Sequence, residues 1–137
     1  MKNECIFCKI IQGDIPSYKL YEDEDVLVIL DRFPRNAGEC LVLTKKHYES
    51  LFDLDPALGP KIFDASLKTA EKVRLAFSPD GLNLLQNNGE AAGQQINHFH
   101  LHVMPRYETD NMMIQGKAVN LTEEEFEKIL QKLQNAQ

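Results

Sequence analysis

Three of the four histidines in this 137-residue chain fall within five positions, as His98-Phe99-His100-Leu101-His102. Alternate side chains of a β-strand share a face, so this spacing predicts three imidazoles along one surface at intervals of roughly 6.6–6.8 Å. Phe99, Leu101 and Val103 would anchor the opposite face in a core. Imidazole titrates nearer neutrality than any other unperturbed side chain, and it can attack, accept a proton or donate one. One reading is nucleophilic catalysis, with one histidine attacking and another handling the leaving group. A second is a metal site, because His-x-His on a strand can present two nitrogens to one ion. The third is a polar strand face without chemistry, and three histidines opposite a strongly apolar face make it the weakest.

The loop before this row, Asn87-Asn88-Gly89-Glu90-Ala91-Ala92-Gly93-Gln94-Gln95, mixes small residues with neutral amides. Glycine lets a backbone approach a ligand closely, and amides can donate to phosphate oxygens. A plain hairpin loop is the alternative, but adjacency to the histidines favours binding. Near the start, Cys5 and Cys8 form a Cys-x-x-Cys pair, and His47 is the one histidine outside the row. With Cys40 the cysteines number three, which suits a reducing compartment, where such a pair is more often metal-binding or redox-active than a structural disulfide. No thioredoxin-like βαβ pattern surrounds it. Cys40 reads as a small buried hydrophobe.

The elements that must position these groups are short. Residues 6–12 read as a helix stopped by Gly13 and Pro16, and residues 18–21, 26–31 and 40–44 as strands separated by an acidic turn and a Pro-Arg-Asn-Ala-Gly turn. From Leu58 to Phe77 the apolar positions Ile62, Leu67, Ala70, Val73 and Phe77 recur at helical spacing, until Ser78-Pro79-Asp80-Gly81 ends the pattern. Strands follow at 82–86 and 96–104. Thr122 and Glu125 then make a capping box for a last helix with the stripe Phe126, Ile129, Leu130 and Leu133. This order predicts an α+β domain with a mainly antiparallel sheet, one long helix and a C-terminal helix, occupying residues 1–137 as a single domain.

Composition narrows the function. An apolar fraction of 43% and a charged fraction of 26% are those of an ordinary folded domain. The longest aliphatic run, residues 26–30, is far short of the ~20 residues that span a bilayer. No signal peptide is legible, so no membrane association and a cytoplasmic location are expected. The net charge of −6 argues against a nucleic-acid partner. Any phosphate must therefore be attracted by local groups.

The pattern Asn87-x-Gly89-x-x-x-Gly93-Gln94-x-x-x-His98-x-His100-x-His102 resembles the signature of the histidine triad (HIT) family. Ile6-Phe7-Cys8-Lys9-Ile10-Ile11, Ile15-Pro16 and Leu41-Val42-Leu43-x-Lys45-Lys46-His47 resemble its opening segment and central strand, so the similarity runs from about Cys5 to Arg106. The nearest branch is that of small bacterial-type members related to the Hint proteins.

The resemblance implies a HIT-like fold, a homodimer with sheets joined across the two-fold axis, and a purine nucleotide substrate. It implies cleavage of a nucleoside monophosphate, AMP or GMP, from a phosphoramidate, dinucleoside polyphosphate or similar leaving group through a nucleotidyl-histidine. His100 would then be the nucleophile, and His102 would bind the phosphate or assist the leaving group. Asn87, Gln94 and Gln95 would contact phosphate, and Asp31 the ribose hydroxyls. Ile6, Phe7, Ile10 and Ile29 would form the base pocket, or equally ordinary core. Structural Zn²⁺ would be held by Cys5, Cys8, His47 and His98.

Three positions depart from the family pattern. Glu39 follows Gly38 where relatives usually carry histidine, Thr44 stands for proline, and Gln95 stands where many relatives have a hydroxyl residue. A carboxylate at Glu39 would repel a substrate anion or have its own pKa raised. It is also the main support for a second reading, a purine-nucleotide-binding regulator with weak turnover. A third, a mononuclear metal hydrolase, would need all three strand histidines to converge on one ion.

Overall fold

A computed structural model describes residues 4–113 and 116–136. The short apolar runs pair as one five-stranded antiparallel sheet: β1 (Lys19–Glu22), β2 (Val26–Leu30), β3 (Cys40–Thr44), β4 (Gly81–Gln86) and β5 (His100–Arg106), in the order β1-β2-β3-β5-β4. Three helices accompany them, α1 (Ile6–Gln12), α2 (Gly59–Phe77) and α3 (Glu123–Gln134). The α+β class with a mainly antiparallel sheet is the architecture expected from the sequence. Among the described residues no helix is long and apolar enough to cross a membrane.

Local chemistry sets the turns. In the acidic turn between β1 and β2, Asp23 Oδ1 accepts from the N–H groups of Asp25 and Val26 at 2.8 and 2.9 Å, closing the bend with a side chain. α1 ends at Gly13, whose φ of 89° is the left-handed cap that glycine takes without strain. Between β2 and β3, Gly38 (φ 97°) packs so closely on Phe77 that a Cβ there would lie 2.7 Å from its ring. That contact fixes where the next residue, Glu39, enters the sheet. The predicted capping box of α3 is formed in both directions.

The sheet has two buried faces. On one, α2 covers Val26, Val28, Cys40, Val42 and Val103, together with Phe99. On the other, α1 lays Phe7 and Ile10 over Leu27, Ile29, Leu41 and Leu43. Cys40 is buried, as its sequence setting suggested.

Two elements differ from the sequence expectation. The last strand begins at His100, not residue 96, and continues to Arg106. The reason is visible in the backbone: His98 N–H closes a tight turn onto Ile96 O, and Phe99 N–H donates to Tyr48 O, so neither joins the ladder. On α2 the buried stripe is Ile62, Ala65, Ser66, Thr69 and Val73, while Leu67 and Phe77 are about half exposed. Ser66 can be buried because its hydroxyl donates to Ile62 O at 2.7 Å. The apolar stripe of α3 exists, but all of that helix is exposed.

Candidate active site and metal centre

Register carries two of the triad histidines onto the α1 face. His100 stands opposite Leu43 and His102 opposite Leu41, while Leu101 and Val103 point to the α2 core. Phe7 of α1 meets both His98 and His100 edge to face, at centroid distances of 5.8 and 5.1 Å. His100 is 7% exposed, and its Nδ1–H donates to the His98 carbonyl at 2.7 Å. That bond fixes the tautomer and leaves the Nε2 lone pair as the reactive one. Burial lowers the pKa of the ring, which keeps it neutral and nucleophilic near pH 7.

His102 is held differently. Its Nδ1–H donates to Glu39 Oε2 at 2.9 Å. The Arg35 backbone N–H donates to Glu39 Oε1 at 3.0 Å, and the Arg35 guanidinium to Oε2 at 3.2 Å. Burial alone would raise the Glu39 pKa, but the hydrogen bonds from His102 and Arg35 outweigh it and hold the carboxyl at about 2. The expectation of an anion-repelling or protonated Glu39 is thereby corrected: its charge is matched by two donors on the spot. Asp31, just past β2, accepts from Phe33 N–H, and burial with the Glu39 carboxylate nearby raises its pKa. The Asp31, Glu39 and His102 ligand atoms lie within 4.8 Å of one another. The Arg35 guanidinium already supplies the positive charge that this group would otherwise seek from a cation.

These groups open onto a cavity of about 770 Å³. Ile6, Phe7, Ile10 and Ile29 form an apolar end, and Asp31, Asn87, Gln95, His100 and His102 a polar one. All the expected base-pocket residues therefore line one space with both catalytic candidates. Gln94 does not line it. Its Oε1 accepts from Gly89 N–H at 2.8 Å, and its amide donates to the carbonyls of Glu49 and Ile96 at 2.6 and 3.1 Å. It braces the loop that presents Asn87 and Gln95. The Arg35–Glu39 pair was not read from the sequence as a unit; its one signal is opposite charge four residues apart across a glycine turn.

His98 turns away from the cavity to a second cluster. Its Nε2–H donates to Thr44 O at 2.7 Å, taking the place of a ladder bond and leaving the Nδ1 lone pair toward Cys5 and Cys8. Burial lowers the His98 pKa to about 4, so the ring is in its ligating form. Cys5 Sγ–His98 Nδ1 is 3.3 Å, Cys8 Sγ–His47 Nδ1 3.3 Å, Cys8 Sγ–His98 Nδ1 3.5 Å and His47 Nδ1–His98 Nδ1 3.1 Å. Ordinary Zn–N and Zn–S bonds in a tetrahedron put such atoms roughly 3.3–3.8 Å apart. The four donors thus fit one zinc ion, and they join α1, the segment after β3 and the turn before β5. A separate cavity of about 670 Å³ adjoins this cluster.

The family model described as HIT domain matches residues 12–109. The "Protein hit" of Bacillus subtilis is 50% identical over 103 residues, covering 75% of this chain and 71% of that protein. The adenosine 5'-monophosphoramidase of Schizosaccharomyces pombe is 40% identical over 102 residues, covering 74% of each chain. Among solved structures, a HIT family protein from Bacillus anthracis superposes with a TM-score of 0.91 at 40% identity, covering 98% of both chains. A Zn-bound histidine triad family protein from Mycobacterium smegmatis gives 0.76 at 34% identity, again over 98% of both. With its five-stranded antiparallel sheet, its alternating histidines and these likenesses, this chain belongs to the HIT domain family.

Proposed function

We propose that this protein is a nucleotidyl hydrolase, cleaving AMP or GMP from a phosphoramidate, dinucleoside polyphosphate or related leaving group. The observation that carries the reading is His100: one ring nitrogen is bonded to the His98 carbonyl, and the ring lines a cavity shared by apolar side chains and polar ones. A purine packs between Phe7, Ile10 and Ile29, and the Asn87 and Gln95 amides meet the α-phosphate. His100 Nε2 attacks phosphorus, the bond to the leaving group breaks, and the departing atom takes the electron pair and a proton from His102. In the second half, His102 takes a proton from water, the water oxygen attacks phosphorus, and the N–P bond breaks with its electrons returning to His100. A relative named adenosine 5'-monophosphoramidase supports the reaction class.

Cys5, Cys8, His47 and His98 hold a structural zinc in this reading. When bound, the ion crosslinks α1 to the base of the histidine row, and the chemistry proceeds on His100 and His102. The protein works as a homodimer, supported by the half-exposed Phe63, Leu67 and Phe77 on α2 and by β4 at a sheet edge with Leu84 exposed. A cytoplasmic location suits the three free cysteines. The regulator reading loses its main support now that Glu39 is matched by Arg35 and His102. The metal-hydrolase reading needs the triad to converge, whereas His98 and His100 aim their free nitrogens at different sites.

The test compares wild type with His100→Ala on a labelled adenosine phosphoramidate. Turnover should fall by at least ~10³-fold while nucleotide binding persists; turnover that survives the substitution contradicts the reading.

A further inference from the structure

We propose that Glu39 is a positioning residue for the leaving-group step: its anchored carboxylate fixes His102 with Nδ1–H inward, so that Nε2 faces the cavity as the proton donor. This rests on the nucleotidyl-transfer reading above and goes beyond it by naming what fixes the tautomer of His102.

Three observations converge. The Glu39 side chain is fully buried, with 0% exposure, yet both its oxygens are engaged. Its anchor is independent of His102, since Arg35 binds it through the backbone N–H and the guanidinium. The turn that delivers it is fixed from two sides, by Gly38 against Phe77 and by Asn36, whose amide donates to Pro105 O at 2.9 Å on β5 itself. A carboxylate held this firmly can accept from a ring nitrogen but cannot donate to one. It therefore selects one tautomer of His102, with the proton on Nδ1 and Nε2 turned to the cavity. The Arg35 guanidinium lies 3.4 Å from the same Nδ1, but it is a donor too, and both donate to Glu39 Oε2. Asp31 is the other carboxylate facing this group, within 4.8 Å.

The step balances on the residues present. As the bond from phosphorus to the leaving group breaks, its electron pair goes to the departing atom and the Nε2 proton of His102 follows. His102 is left neutral, with Nδ1–H still donated to Glu39.

The consequence is a leaving-group dependence. Glu39→Gln keeps the shape of the side chain, but its amide can present N–H to the ring in place of an acceptor. On an adenosine phosphoramidate with an unactivated amine, which must be protonated to leave, kcat should fall roughly 10–100-fold with KM little changed. On the p-nitrophenyl ester of AMP, whose leaving group departs without a proton, the loss should be under about 3-fold. Equal losses on both substrates would overturn the proposal in favour of a purely structural role. Should Glu39→Gln fail to fold, ¹⁵N spectra of the wild type decide: His102 must carry its proton on Nδ1 when neutral, and an Nε2–H tautomer refutes the assignment. Wild type inactive on both substrates would instead remove the functional reading and this proposal with it.

Discussion

His100 and His102 share a strand face, and their rings lie 5.1 Å apart, yet different partners hold them. A backbone carbonyl, which is neutral, orients His100 and leaves its second nitrogen basic. A carboxylate orients His102 and accepts from its Nδ1–H. His98 is assigned to the cysteine cluster by a third partner, the Thr44 carbonyl. Identity and spacing of the histidines were legible in the sequence; these partners were not, because each is supplied by a residue distant along the chain or by main chain. Glu39 illustrates the point. Read alone it is a misplaced anion, and only the fold brings Arg35 and His102 to it. Its folded pKa of about 2, against an ordinary 4.5, means that it stabilises the fold above about pH 4.5 and that this contribution is lost as pH falls toward 2. The melting temperature of wild type should therefore drop more steeply across that window than that of Glu39→Gln. Parallel curves would show that the carboxylate carries no such charge-dependent stability.

At the level of elements, most strands and all three helices follow from periodicity and turn residues, since β2 and β3 are short runs of buried aliphatics bounded by turns. The start of β5 was misread because alternation of His and apolar residues continues through Phe99, while the backbone there bonds to Tyr48 and Ile96. Side-chain pattern records which face is buried and is silent about which hydrogen bonds form a ladder. The α2 stripe differs for a related reason: small polar residues such as Ser66 and Thr69 can line a core, Ser66 with its hydroxyl donating to Ile62 O. Zinc belongs to this scale, for it would tie α1 to segments 39 and 90 residues away. Cys8→Ser should lose stoichiometric zinc by metal analysis and cost on the order of 3 kcal/mol of stability in zinc-replete buffer. Unchanged stoichiometric zinc would rule the assignment out.

For the molecule as a whole, a net charge of −6 sets the background against which the site must attract an anion. Under the proposed function, donors that line the cavity would do so: the Asn87 and Gln95 amides, the histidines and Arg35, on one side of a sheet whose other side is closed by α2. The sheet ends at β4, and α2 keeps four large apolar side chains, Phe63, Leu67, Leu75 and Phe77, exposed to solvent. Both features are explained if two copies pair there. Light scattering should give the mass of two chains, and Leu67→Glu should shift it toward one; a wild-type monomer at assay concentration contradicts this pairing. The apolar pattern of α2 does not distinguish its core face from this second face, because Phe63, Leu67 and Phe77 recur at helical spacing while the core face includes the small polar Ser66 and Thr69.

The central claim is a covalent bond between phosphorus and one imidazole. Wild type mixed with excess labelled adenosine phosphoramidate and quenched in alkali, where N-phosphoryl imidazoles survive, should carry one adenylyl group on the peptide containing His100. His100→Ala should carry none. An adduct on another residue, or full turnover with no adduct and no effect of the substitution, would contradict the account.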